Sequence, residues 1–97
     1  MMIEVSVGKQ LNGAVFGLTP KTEIMLRSRF PDWSPAPNSV FISYGRPWDF
    51  EKAMDGSMWT QIVMLLTRLT EQQIQELGGV TFVNPVSHEV FFESRAA

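Results

Sequence analysis

"SMWTQIVMLLTRLTEQQIQELGGVTFV", residues 57–83, decides the fold. Met58, Trp59, Ile62, Val63, Leu65, Leu66 and Leu69 recur at helical spacing and form a wide apolar stripe. A helix with so broad a stripe packs against a sheet. Ser57 is placed to cap its start. Thr70-Glu71-Gln72-Gln73 fits a capping box, with Leu69 and Ile74 flanking it as a hydrophobic staple, so a kink or restart is expected near Thr70, one unbroken helix being the alternative. Leu77 followed by Gly78-Gly79 reads as a helix terminus. Val80 to Val83 is then a strand.

Downstream, Asn84-Pro85-Val86-Ser87-His88 reads as a turn. Glu89 to Glu93 returns as the second strand of a hairpin, and Ser94 to Ala97 reads as a tail. Upstream, Gly45-Arg46-Pro47 breaks a strand spanning Ser39 to Tyr44. Val40, Phe41 and Ile42 are continuously apolar, which predicts a central strand buried on both faces. A short helix is expected from Trp48 to Met54, ended by Asp55-Gly56. At the N-terminus, Ile3, Val5 and Val7 alternate with Glu4 and Ser6, the period of a strand with one wet face. Ala14 to Leu18 either returns as a second strand or leads into the next helix. Thr19-Pro20 is a strong helix start, Thr22 to Arg29 carries the helix, and Pro31 stops it. Ile24, Met25, Leu26 and Phe30 supply its apolar contacts.

The order is β(β)αβααββ. It predicts one α+β domain over residues 1–97, with two helical regions packed on a mainly antiparallel sheet of four or five strands. Composition agrees: 44% of residues are apolar and 19% charged, the balance of a chain that folds around its own core. Ten Trp and Phe residues offer large area for burial.

Composition also excludes chemistry. The chain has no cysteine, so disulfides, thiol nucleophiles and thiolate metal sites are out. Net charge is −2 and the pI is about 5.2, with eight scattered Lys and Arg, which argues against a nucleic-acid partner. Met1-Met2-Ile3-Glu4 places an acid where a secretory leader carries basic residues, and the longest apolar run falls far short of a membrane span. A cytoplasmic protein without membrane contact is expected.

His88 is the only histidine, next to Glu89. A general base needs a positioned carboxylate, and strand neighbours point to opposite faces, so a turn role is favoured. Asp49, Glu51 and Asp55 lack the ligand spacing of a calcium loop. No phosphate-binding or nucleophile-elbow motif is present. Phe82, Phe91 and Phe92 are candidates for base stacking, but the basic and glycine residues that flank such aromatics in an RNA-binding sheet are missing, so core packing is favoured. No metal, cofactor or catalytic residue is expected.

Recognition of another protein remains. Interface centres favour Trp, Tyr, Phe, Met and Arg. Two loops have that composition: Asp32-Trp33-Ser34-Pro35, and Tyr44-Gly45-Arg46-Pro47-Trp48-Asp49. The candidate partner-binding residues are therefore Trp33, Tyr44, Arg46, Trp48 and Asp49. The competing role for Trp33 and Trp48 is to plug the ends of the core. The final strand offers a second surface, through which copies of the chain could pair edge to edge. The profile resembles that of small bacterial and phage accessory proteins: inhibitors, immunity proteins or adaptors that bind one macromolecular target. A small enzyme using Arg46, Asp49 and His88, and a homo-oligomeric assembly subunit, are the alternatives.

Overall fold

Thr19 begins the first helix as the sequence predicts. Its side chain accepts from the Thr22 N–H, and Pro20 occupies the first turn of α1, Pro20–Arg29. The computed structural model containing this helix describes residues 2–34, 39–43, 54 and 58–96. The expected helix over 48–54 lies outside the described residues except for Met54, which is helical and fully buried. The Ser57 cap and the Asp55-Gly56 break also lie outside them.

Five strands are described: β1 Ile3–Gln10, β2 Gly13–Leu18, β3 Ser39–Ser43, β4 Gly79–Val83 and β5 Val90–Arg95. Of the two paths the sequence allows for Ala14 to Leu18, the returning strand is the one taken. Two further helices are described, α2 Met58–Thr67 and α3 Glu71–Glu76. The sheet order is β3-β2-β1-β4-β5. Only β1 and β4 run parallel; the other pairings are antiparallel. The domain is α+β.

Residues paired across strands share a face. One face carries Ile3, Val5, Val7, Phe16, Val80 and Phe82, all buried, together with half-buried Val40, Ile42 and Phe92. Ile62, Val63 and Leu66 of α2 and Ile74 of α3 join these residues in one core. Aromatic edges knit it: Phe16 meets Phe82 at 5.8 Å between centroids and Phe82 meets Phe92 at 5.9 Å, both T-shaped. Leu65 is an exception in the α2 stripe. It is 57% exposed, because the six stripe residues within α2 span more arc than one sheet can cover.

The break between α2 and α3 has a visible cause. Arg68 follows α2 with φ 60°, a left-handed residue that ends the helix, and its N–H still bonds to the Met64 carbonyl. Thr70 then caps α3 with the full capping box, reciprocated by Gln73. Leu69 and Ile74 are both buried, as a staple requires.

Two strand expectations are corrected. Among the described residues β3 is an edge strand, not a central one. Only Val40 and Ile42 face the helices; Ser39 and Ser43 are exposed, and Phe41 stands 56% exposed on the open face opposite Val15. An unbroken apolar triplet does not distinguish burial on two faces from a cross-strand apolar pair on the open one. At the other edge, β5 starts at Val90 and continues through Ser94 and Arg95, which were expected to be tail; Arg95 pairs with Gly79.

Gly79 fixes that pairing. It has φ +103°, and a Cβ there would lie inside contact distance of the Ser94 carbonyl oxygen. Gly79→Ala should cost at least about 2 kcal/mol, from left-handed strain plus a backbone clash. Gly8→Ala is the control, since its Cβ would meet only ordinary contacts near 3.9 Å. Urea unfolding of both variants checks this: equal midpoints would remove the assigned role.

Candidate partner-binding surface

Of the five residues expected to bind a partner, Trp33 is described; Tyr44, Arg46, Trp48 and Asp49 lie outside the described residues. Trp33 is half-buried against the core, and its Nε1–H donates to the Thr67 carbonyl at 2.7 Å. That carbonyl lies in the last turn of α2, where helix geometry leaves C=O groups without a partner. The Trp33 ring thus satisfies the end of α2 while covering apolar surface, which is the plugging role. The residue remains partly exposed.

His88 also has a structural task. Asn84 organises the β4–β5 turn: its side chain accepts from the N–H groups of Val86 and Ser87, and its carbonyl accepts from His88. His88 takes φ 65°, the left-handed position that closes the turn. It does line a cleft of about 330 Å³ on the open face, with Glu4, Lys21, Thr81, Glu93 and Arg95 also on its walls. His88 makes no ion pair with a carboxylate among the described residues; there, Glu93 pairs with Arg95. Glu4 is engaged by Thr19, whose hydroxyl lies 3.3 Å from its Oε1. Thr81 Oγ1 is buried in this region without a hydrogen-bond partner among the described residues.

The three stacking candidates do not form one exposed platform: Phe82 and Phe92 touch edge to face within the covered side of the sheet. Phe82 is fully buried, Phe92 packs against Trp59 beneath the helices, and Phe91, the extra residue of a β-bulge, lies under the Lys9 ammonium at 4.5 Å. Among the described residues, no helix is long and apolar enough to cross a membrane.

A groove that the sequence reading missed lies between α1 and the end of α3. Its volume is about 690 Å³, and its described lining is Lys21, Ile24, Met25, Ser28, Arg29 and Leu77. Thr22 and Leu26 hold α1 to the domain: Leu26 is in the core, and Thr22 Oγ1 accepts from the Glu4 N–H at 2.8 Å while donating to the Glu4 carbonyl at 3.1 Å. Ile24 lies about 200° round the helix from Thr22. It therefore points away from the core and is 67% exposed. That angular offset was available in the sequence.

No protein-family model, curated protein or solved structure matches the chain.

Two measurements separate structural from functional roles here. Trp33→Phe keeps the apolar cover but removes the donor to Thr67, so stability should fall by about 1–2 kcal/mol. An unchanged urea midpoint would free Trp33 for recognition alone. His88→Gly relieves about 1–2 kcal/mol of left-handed strain against about 0.5–1 kcal/mol of added chain entropy, so the hairpin should be unchanged or slightly more stable. A clear drop in melting temperature would show that the imidazole itself holds structure.

Proposed function

We propose that this chain is a non-enzymatic protein-binding module of the inhibitor, immunity or adaptor type, acting through one macromolecular target. The observation that supports it is the apolar groove beside α1, in which Ile24 stands in water, Met25 is half-buried and Leu77 is at the base. Exposed apolar residues grouped around a concavity favour contact with another macromolecule over solvent. Trp33 and the 44–49 loop are a second candidate surface within the same reading, with Arg46 and Trp48 as its anchors. A cytoplasmic location belongs to this proposal.

A rival reading, a small enzyme built on His88, has one observation in its favour: the cleft that gathers His88, Glu4 and Glu93. It is weakened by the lack of an orienting carboxylate among the described residues. Assembly into a homo-oligomer through the β5 edge is the third reading; Val90 is exposed there, while the Glu93–Arg95 pair guards the strand with charge.

Affinity capture from the native host, with mass spectrometry, tests the proposal. The full chain should retain one dominant protein. Ile24→Asp should abolish retention if the α1 groove is the site; Arg46→Ala with Trp48→Ala should do so if the loop is. A chain that retains nothing and turns over a small substrate would sink the proposal.

A further inference from the structure

We infer that the groove between α1 and Leu77 docks an acidic amphipathic helix of a partner protein. The inference rests on the protein-binding reading and adds the chemistry of the partner.

Charge is the first argument. The chain as a whole carries −2. α1 carries Lys21, Arg27 and Arg29 against Glu23, which is three positive charges minus one, or +2. The remainder of the chain is thus at −4. Lys21 and Arg29 both line the groove, and neither forms an ion pair among the described residues. They lie eight positions apart on one helix, a separation of about 12 Å. A partner with acids at both ends of an apolar stripe matches that spacing.

Shape is the second argument. Between the two cations lie Ile24, Met25 and Ser28, with Leu77 across the groove. Three apolar side chains and one serine thus lie between two cationic ends. This arrangement suits the i, i+3, i+4, i+7 anchors of a helix laid in a groove. A second copy of this chain is a poor occupant: apposing two α1 faces would bring like charges together. A lipid surface is also poorly matched, because interfacial helices insert a broad apolar face, and here Leu26 and Thr22 are committed to the domain.

The probe is a synthetic amphipathic helix of about five turns with Leu at the anchor positions and Glu flanking them, compared with the same peptide carrying Lys. Nuclear magnetic resonance shifts locate binding on the full chain, and fluorescence anisotropy measures it. At about 0.05 M salt the Glu peptide should bind about tenfold more tightly than the Lys peptide, and the advantage should largely vanish at about 0.5 M. Shifts should centre on α1 and Leu77. Lys21→Glu with Arg29→Glu should invert the preference, and Ile24→Asp should weaken both peptides. All three positions are exposed or rim positions, so these variants should keep the wild-type circular dichroism.

Equal affinity for both peptides, with shifts on α1, overturns the acidic partner and leaves the protein-binding reading standing. Absence of shifts at α1, or shifts centred elsewhere, overturns the groove as the site. Concentration-dependent shifts of α1 without peptide, or co-sedimentation with anionic phosphatidylserine vesicles lost on Ile24→Asp, overturns the assignment by identifying a second copy or a lipid surface as occupant. If affinity capture fails while the peptide behaves as expected, the groove chemistry holds and the broader reading is what fails.

Discussion

The parallel ladder between β1 and β4 is the constraint on which the structure depends. β1, β2 and β3 form an antiparallel unit through their own pairings, and β4 with β5 forms another. Only the pairing of Ile3 to Ser6 with Val80 to Val83 makes them one sheet. Parallel neighbours cannot be joined by a tight turn, so the intervening chain must cross back over a face. α2 and α3 do so, and the face they cross is the one on which Ile3, Val5, Val80 and Phe82 are buried. The helical layer is therefore a consequence of the pairing and also its protection, since parallel ladders are found where helices exclude water.

Local devices hold both partners of that ladder in register. On the β1 side, Thr22 of α1 satisfies the Glu4 N–H and carbonyl beyond the end of β2, with Thr19 N–H also reaching the Glu4 carbonyl at 3.4 Å. The side chain acts as a further rung of the sheet, so α1 is pinned where β2 ends. On the β4 side, Gly78 and Gly79 take φ of 96° and 103°, turning the chain from α3 directly into the strand. No β-branched residue could make that turn and still let β5 approach Gly79 closely.

The features legible in the sequence were those that short-range chemistry dictates. Thr19-Pro20, the Thr70 capping box and the Gly78-Gly79 terminus each involve residues within one turn, so their geometry follows from residue type alone. The Ile3-Val5-Val7 alternation was likewise sufficient, because β1 has one covered face. β3 was misplaced because Val40-Phe41-Ile42 carries no information about which strand lies beyond it; its edge position is set by the distant β1–β4 ladder. The candidate site was less legible still. Ile24 and Met25 were both expected to supply apolar contact; Met25 does pack against the core, whereas Ile24 is exposed. Angular spacing separates them: the pair Thr22 and Leu26 fixes the inner face, and Ile24 falls on the outer one. Trp33 had two open roles in sequence, and the Thr67 carbonyl, thirty-four residues away, supplies the structural one.

α1 thus has two faces with different obligations. Its inner face is anchored by a hydrogen-bonded threonine and a fully buried leucine, so the helix gains little freedom from leaving its outer face in solvent. The backbone of a helix held in this way has already lost its conformational entropy on folding. A partner that docks there orders side chains but no further backbone of α1, and more of the contact energy appears as affinity. For the proposed docking role, the backbone rigidity that positions β1 is the same rigidity that sets the helical positions of Lys21, Ile24 and Arg29. Fold stability and recognition would then draw on one element, and variants can divide them: changes at Thr22 or Leu26 act on both, whereas changes at Ile24 act on the outer face alone.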